Sequence, residues 1–242
     1  VYSAIFFCEK EDKYVSQKKT TLTKASIANS QIRVIFQQEA QLRELPLEAW
    51  KIYHPIVHKT WSNSIKLGDL AHIKDVGFNY WTIGRGKKRG ESIGSRILYE
   101  GLRKNEKDIP YIKGSDFEAY EIPTLKNHWL RFNYSSLLDP KVDIFRFSPE
   151  FLQVDSKIMY RQTADRLIAA IDREGFLVDK TVHVIVFKEK EMPFNYEFIL
   201  AFLNSKLANF IYAQLSEEEG RTFAQVKTFR VKELPILCIS FV

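Results

Sequence analysis

The chain has 242 residues, 45% of them hydrophobic and 27% charged, which suits one large domain or two small ones with an ordinary core. Its net charge of +6 favours a polyanionic partner without identifying one. The two cysteines lack metal-ligand spacing, no stretch is of low complexity, and no apolar run approaches the ~18 residues of a membrane helix. These features argue against a disulfide scaffold, a fibrous protein and a membrane protein, and we expect a cytoplasmic protein without a membrane partner.

The N-terminal quarter shows short patterns separated by polar stretches. Val1–Cys8 predicts a buried strand, and Ile32–Phe36 predicts a second strand. Gln37–Leu45 is polar and compatible with a helix, and Pro46–Trp50 has the pattern of a helix start. Residues 50–66 contain three aromatic side chains and a proline, which indicates an extended linker. Because the chain begins with Val rather than Met, we expect it to be part of a longer polypeptide.

A new unit is expected to begin at residue 67. Leu67 and Leu70 predict one helical turn, and a strand is predicted to follow over Ala71–Val76. Residues 84–96 combine glycines with the most basic segment of the chain, which predicts a mobile surface loop. Such a loop is either simply solvated or contacts a DNA backbone or groove. Its cations are Arg85, Lys87, Lys88, Arg89 and Arg96, and the aromatic residues Tyr80 and Trp81 precede them.

The middle of the chain predicts several short strands. Ile109–Phe117 has the pattern of a strand leading to a glycine turn, and Trp129–Phe132 and Lys157–Thr163 are two further strands. Arg166–Asp172 favours a helix by propensity alone. The turn signal after it and the β-branched run Phe176–Lys188 favour a meander of three strands instead.

The C-terminal part is expected to be mainly helical. Residues 195–215 place apolar side chains at helical spacing, Asn195 can cap the start, and Asn204–Ser205 can divide the segment into two helices. Residues 221–227 return to extended chain, and Val231–Ile236 predicts a turn and a strand. Because strands and helices mix without βαβ regularity, we predict an α+β fold of small, largely antiparallel sheets with a C-terminal helical segment.

Two polar clusters have side chains suited to DNA. Arginine pairs with guanine and glutamine with adenine in the major groove, and both types also reach phosphates. Either cluster could equally be an exposed strand face or a structural network. The first cluster is Arg161, Gln162, Thr163 and Arg166, and the second is Arg221, Gln225 and Lys227.

No pattern in the chain is typical of an enzyme active site. The five histidines are scattered without metal-ligand spacing, and His183 alternates with valines as a structural strand residue would. Neither cysteine has the context of a nucleophile. A nuclease-like pattern of two carboxylates and a lysine can be assembled from Asp143 or Asp172 with Glu189 and Lys190, but a chain with 30 acidic residues offers many such coincidences.

The order of several short islands resembles the C-terminal specificity domain of TaqI-like N6-adenine DNA methyltransferases. The resemblance covers about residues 67 to 236, two thirds of the chain, and it depends on the shared order of the islands. They are Leu67-Gly68-Asp69-Leu70, Tyr111-Ile112-Lys113-Gly114-Ser115-Asp116-Phe117, Lys157-Ile158-Met159-Tyr160-Arg161-Gln162-Thr163-Ala164-Asp165-Arg166-Leu167-Ile168-Ala169-Ala170, Thr181-Val182-His183-Val184-Ile185, Phe202-Leu203-Asn204-Ser205-Lys206-Leu207-Ala208-Asn209-Phe210, Glu219-Gly220-Arg221-Thr222-Phe223-Ala224-Gln225-Val226-Lys227 and Leu234-Pro235-Ile236.

The resemblance implies that this chain selects the DNA sequence and that another domain transfers the methyl group. That methyltransferase domain would bind S-adenosylmethionine and carry an Asn-Pro-Pro-Tyr motif, which is absent here, so no cofactor is expected in this chain. Residues 1–66 would then be a connector or the end of the methyltransferase domain, and residues 67–242 the target recognition domain. Many relatives also carry an endonuclease domain, as type II restriction–modification enzymes.

The resemblance also assigns roles to the cations. Those of the 84–96 loop would hold the backbone or groove of double-stranded DNA, with Lys113 and the first polar cluster as further contacts. The recurring islands are alternatively architectural, which would move specificity toward residues 77–107. We expect one positive concave face to be shared by Arg85, Lys87, Lys88, Arg89, Lys113 and Arg161. A rival interpretation is a protein-interaction module of a multi-subunit restriction system that uses the helices of residues 195–215.

Overall fold

The computed structural model describes residues 19–28, 31–41, 54–62, 64–83, 91–122, 128–216 and 225–237. The chain divides into two compact units, residues 1–63 and residues 64–242. The strand predicted at Val1–Cys8 and the helix start predicted at Pro46–Trp50 lie outside the described residues.

The first unit contains an antiparallel hairpin and a short helix. Strand β1 (Lys19–Ala28) pairs with β2 (Gln31–Gln41), which confirms the predicted second strand. The helix-compatible interpretation was wrong for residues 37–41, because β1 supplies a partner strand along their whole length. The predicted linker instead contains helix α1 (Pro55–Trp61). Its proline lies at the helix start, where the missing N–H costs nothing, and the His54 side chain accepts a hydrogen bond from the N–H of Ile56.

The second unit consists of short strands, short helices and two single-turn 3-10 helices. In chain order it contains β3 (Ser64–Lys66), α2 (Leu67–Leu70), β4 (Ala71–Lys74), β5 (Asn79–Thr82), α3 (Glu91–Ile97), β6 (Leu98–Glu100), β7 (Ile109–Ile112), β8 (His128–Leu130), β9 (Asp143–Arg146), α4 (Pro149–Leu152), β10 (Lys157–Arg161), β11 (Ala169–Asp172), β12 (Leu177–Val178), β13 (Val182–Phe187), α5 (Tyr196–Asn204), α6 (Lys206–Ser216), α7 (Thr228–Lys232) and β14 (Pro235–Leu237).

Two four-stranded sheets form the framework of this unit. The first sheet is antiparallel, in the order β11-β10-β13-β4, and the second is mixed, in the order β12-β7-β8-β6. Two antiparallel pairs, β14–β3 and β5–β9, complete the described strands. This architecture confirms the predicted α+β fold with small, largely antiparallel sheets.

The predicted three-stranded meander differs from the observed topology in one respect. Strand β10 lies between β11 and β13, so consecutive strands do not all pair. The long β-branched run is divided at Asp179, whose carboxylate accepts hydrogen bonds from the N–H and the hydroxyl of Thr181. This local turn sends β12 into the second sheet, parallel to β7, and β13 into the first. The turn at Asp179 therefore links β12 of the second sheet directly to β13 of the first sheet.

The core lies where the two sheets meet helix α3. Met159 and Val184 of the first sheet belong to the same buried cluster as Leu177 of the second sheet. Ile93 and Ile97, one helical turn apart on α3, are completely buried in it. The prediction of a loop was therefore wrong for residues 91–96, because this apolar pair favours a helix there.

A buried ion pair joins β10 to β11. The ammonium of Lys157 donates to Asp172 and, at 2.7 Å, to the carbonyl of Leu152. Burial lowers the pKa of Lys157. Asp172 also accepts the N–H groups of Glu174 (2.8 Å) and Phe176 (2.9 Å) and thereby closes the turn predicted after β11. Asp172 is therefore fully engaged within the fold rather than exposed for metal-dependent chemistry.

Helices α5 and α6 agree with the helical segment predicted from the sequence over residues 195–215. Asn195 Oδ1 accepts the N–H of Phe198 at 2.8 Å and caps α5. Ser205 separates the helices, and its hydroxyl accepts the N–H of Ala208 at 3.1 Å. Both the predicted N-cap and the predicted division into two helices are confirmed.

Candidate nucleic-acid interface

The described members of the two polar clusters predicted from the sequence come together in space. After β10, the N–H of Gln162 donates to the carbonyl of Thr181 (2.9 Å), and the carbonyl of Gln162 accepts the N–H of Val226 (2.7 Å). Thr163 and Gln225 form an antiparallel bridge. We call residues 161–166 and 225–227 the polar edge, because these two segments form one continuous border of the unit.

The helical island holds one side of the polar edge. Asn204 forms a pair of 3.0 Å hydrogen bonds with the backbone N–H and carbonyl of Ala169. Asn209 accepts the N–H of Leu167 at 2.6 Å and donates to the carbonyl of Ser205 at 2.9 Å. These two asparagines satisfy the N–H groups of Leu167 and Ala169, which follow the turn between β10 and β11, and the Ala169 carbonyl also accepts the N–H of Tyr120 at 2.8 Å. The Asn204–Leu207 island therefore acts architecturally.

Tyr212 holds the other side of the polar edge. Its buried hydroxyl accepts the N–H of Lys227 at 2.9 Å and donates to the carbonyl of Gln225 at 3.2 Å. Val226 between them is buried. Both strands of the polar edge are thus fixed through their backbones, which leaves the outward side chains available for other contacts.

The side chains of the polar edge differ in their surroundings. Thr163, Arg166 and Gln225 are exposed, and Arg166 makes no hydrogen bond or ion pair within the described part of the chain. Arg161, in contrast, is mostly covered and donates to the carbonyl of Phe117 and to Glu118 (2.8 Å). Arg161 is therefore engaged in the fold, whereas the exposed trio can contact a ligand without breaking an internal bond.

Lys113 lies next to the polar edge. Thr181 accepts the N–H of Gly114 on its hydroxyl at 2.8 Å and the N–H of Gln162 on its carbonyl, so one residue connects β7 to the polar edge. A Cβ at Gly114 would lie 2.9 Å from the carbonyl oxygen of Thr181, so this close approach requires glycine. The ammonium of Lys113 pairs with exposed Glu100 at 2.7 Å.

Tyr80 and Trp81, which precede residues 84–90, are only partly exposed to solvent. Tyr80 packs on Phe78 and against Gly94, and burial raises its pKa. Trp81 is half-buried, and the exposed guanidinium of Arg146 lies 5.2 Å from the centre of its ring. Arg146 was not predicted from the sequence, although its place at the end of the short Asp143–Arg146 strand beside Trp81 makes it a candidate contact.

Arg96 belongs to an internal network. Its guanidinium donates to the carbonyl of Leu137 (2.6 Å) and to Asp143 (2.5 Å), and Thr82 donates to the same carboxylate at 2.8 Å. Burial alone would raise the pKa of Asp143, but hydrogen bonds from the Asp139 N–H, Arg96 and Thr82 hold it below its ordinary value. We call Arg96, Asp143 and Thr82 the Arg96 network.

The remaining predicted contacts lie outside the described residues. They are Arg85, Lys87, Lys88, Arg89 and Arg221. Their place relative to Lys113 and Arg161, and with it the shared positive face, stays a prediction. Within the described ranges no three His, Cys, Asp or Glu side chains are grouped to hold a metal ion. No helix in that part of the chain is long and apolar enough to cross a membrane.

Comparison with known proteins identifies the family of this fold. The model of the TaqI-like C-terminal specificity domain matches residues 109–236, more than half of the chain, including both segments of the polar edge. A protein of Methanocaldococcus jannaschii, provisionally named a type II restriction enzyme and methyltransferase, is 28% identical over 146 residues. The match covers 60% of this chain but 12% of that relative. The chain therefore belongs to the TaqI-like C-terminal specificity domain family.

Proposed function

We propose that this chain recognises a target sequence in double-stranded DNA for an N6-adenine methyltransferase domain of a type II restriction–modification enzyme. The observation that carries the proposal is the polar edge, where Thr163, Arg166 and Gln225 are exposed while their backbone is fixed. The family membership and the restriction–methyltransferase relative support the same conclusion. The chain would act in the prokaryotic cytoplasm, where its substrate DNA lies.

The exposed side chains suit direct reading of base pairs. A glutamine amide can bond both hydrogen-bonding positions of adenine in the major groove, and an arginine both acceptors of guanine, each pair contributing about 1–3 kcal/mol of discrimination. Threonine can donate, accept or contact the thymine methyl group. Gln225, Arg166 and Thr163 thus offer three different base preferences on one border.

The backbone hydrogen bonds explain how such reading can be selective. Bidentate recognition needs both partners in a defined geometry, and a mobile loop would lose that geometry and the entropy of ordering. Asn204, Asn209 and Tyr212 hold the polar edge through main-chain groups, so the recognition geometry exists before DNA binds. Lys113, connected through Thr181, adds a cation beside that border.

The methyl transfer itself is assigned to the partner domain. N6 of a paired adenine is inaccessible within the duplex, so the catalytic domain must extract the base into a pocket. The present chain would bind the opposite side of the DNA and determine which base is extracted. The cations of residues 84–90 would contact the phosphates. S-adenosylmethionine would bind to the methyltransferase domain, which carries the chemistry.

A selection experiment tests this function. The chain, alone and mixed with a methyltransferase domain, is incubated with duplexes whose centre is randomised, and the bound DNA is sequenced. We expect enrichment of one short sequence and a steep fall in affinity with rising salt. Gln225→Ala should relax the preference at one position, and Gln153→Ala, an exposed glutamine on another part of the unit, should not. Unselective retention in both preparations would refute sequence recognition. Absence of any salt-dependent binding would favour the protein-interaction alternative.

A further inference from the structure

A second exposed feature lies in the loop between β6 and β7. Leu102 is 86% exposed, the highest value among the large hydrophobic side chains of the described residues. Three cations, Arg103, Lys104 and Lys107, lie within five positions of it, against two exposed carboxylates, Glu100 and Glu106. An apolar tip surrounded by positive charge suits a polyanion that also offers an apolar interior.

The loop is held in one conformation. Gly101, with φ of +102°, begins it in a region that favours glycine, and its carbonyl accepts the indole N–H of Trp129 at 3.0 Å. The guanidinium of Arg103 lies over the Trp129 ring at 4.8 Å and donates to the carbonyls of Glu106 (2.5 Å) and Asp108 (2.8 Å).

Further bonds fix the closing end of the loop. The buried carboxylate of Asp108 accepts the hydroxyl of Tyr99 and, at 2.9 Å, the N–H of Phe132. The Tyr99 hydroxyl in turn accepts the N–H of Lys104 at 2.8 Å. Single exposed hydrophobic residues are common on protein surfaces. Leu102 differs because hydrogen bonds brace both ends of the loop that presents it.

The position of the loop relates it to the polar edge. Strands β6 and β7 are both antiparallel to β8, so their carboxyl ends lie at the same border of the sheet. Glu100 ends β6 and pairs with Lys113, which follows β7. Thr181 connects the neighbouring Gly114 to Gln162. Leu102 lies two residues after Glu100, so these contacts relate the start of the loop to the polar edge through Lys113, Gly114 and Thr181.

We infer that Leu102 is an apolar wedge that enters the base stack of the bound duplex beside the sequence read by the polar edge. Exposed aliphatic side chains on DNA-binding proteins can separate adjacent base pairs and kink the duplex. Lys104 and Lys107 contact the flanking phosphates, and Arg103 braces the loop. The inference rests on the proposed function, because it requires bound DNA, and it adds a contact that unstacks a base step.

Fluorescent base analogues provide the test. The duplex enriched by the selection described above is prepared with 2-aminopurine at each position in turn, because its fluorescence rises when it is unstacked. We expect binding of the chain to raise the signal at one step. Leu102→Ala should abolish this rise and weaken binding about tenfold, the order expected from losing the burial of a leucine side chain. Leu102→Met, which keeps an apolar side chain of similar volume, should retain the rise.

The controls separate this inference from the proposed function. Leu102 is exposed, so both variants should unfold at the same denaturant concentration as the parent chain. Val34→Ala, at another exposed aliphatic position, should leave the fluorescence unchanged. An enriched sequence with a flat fluorescence profile, or a Leu102→Ala variant with the parental profile and affinity, refutes the wedge while sequence recognition stands. Failure of the selection refutes the proposed function, and the wedge with it.

Discussion

The polar edge and the Arg96 network contain similar polar side chains, which are exposed in the first region and bonded within the fold in the second. At the polar edge the internal hydrogen bonds come from main-chain groups and supporting side chains, so Arg166 and Gln225 remain exposed. In the Arg96 network the guanidinium itself makes the internal contacts. A polar residue in a DNA-binding domain is therefore a candidate contact when its backbone is held and its side chain is not. The comparison gives different expectations for stability and for DNA binding.

The largest effect is expected from Arg96→Ala. The change leaves the buried Asp143 carboxylate without its cation and should lower the free energy of unfolding by about 2–3 kcal/mol. Urea unfolding followed by circular dichroism measures this loss. DNA affinity of the folded variant should stay within twofold of the parent, on the order of measurement error. A selective loss of DNA binding at unchanged stability would instead place Arg96 at the DNA.

Asn204→Ala should lower both the stability of the fold and its DNA sequence preference. It removes two hydrogen bonds to Ala169 and leaves the Ala169 N–H unpaired, while the Ala169 carbonyl keeps the N–H of Tyr120, which should cost about 1–2 kcal/mol of stability. Because the turn of the polar edge then loosens, sequence preference should also weaken. Selection and urea unfolding on the same preparation check the two effects. Asn133→Ala, an exposed asparagine without a side-chain cap, is the matched control and should change neither.

Arg166→Ala should affect DNA binding alone. The side chain is exposed and makes no internal ion pair among the described residues, so stability should change by less than about 0.5 kcal/mol. Affinity should fall roughly tenfold, as expected for one arginine–base or arginine–phosphate contact. Titration with the enriched duplex gives this value. If Arg166→Ala destabilises the fold as much as Arg96→Ala does, the distinction between the two regions is wrong.

The smallest effect is a pH dependence of the Arg96 network. Because the pKa of Asp143 is held below its ordinary value in the folded chain, its stabilisation is present above the unfolded pKa and is lost as the pH falls through the folded pKa. The stability difference between the parent and Arg96→Ala should therefore be constant near neutral pH and shrink below about pH 4. Urea unfolding of both proteins at several pH values measures it. A difference that grows on acidification would contradict the assigned ion pair.

The sequence predicted local structure better than it predicted long-range pairing. The caps at Asn195 and Ser205 were predictable because a capping side chain bonds a backbone group three residues away. The division of the β-branched run at Asp179 was missed, because its consequence depends on pairing with β7, distant in the chain. Helix α3 was missed because the glycine within it and the glycines and charges before it obscured an apolar pair separated by one turn.

For the candidate site too, the sequence indicated residue types but not the long-range pairing that brings them together. Residue type alone suggested the two polar clusters, but nothing in either cluster predicted that Thr163 and Gln225 would pair. The supporting residues Asn209, Tyr212 and Thr181 carry no recognisable pattern, since an asparagine or a tyrosine within an amphipathic helix has many uses. Conversely, Arg96 and Arg161 had the expected residue type but are engaged by carboxylates that the sequence places far away.

The main-chain support of the polar edge has a consequence for the evolution of specificity. Asn204, Asn209 and Tyr212 bond backbone groups that every residue possesses, so most substitutions at positions 163, 166 and 225 leave those bonds intact. New side chains can therefore be sampled at the three positions without a compensating change in the scaffold. Under the proposed function, a library randomised at these positions should yield variants that select altered DNA sequences.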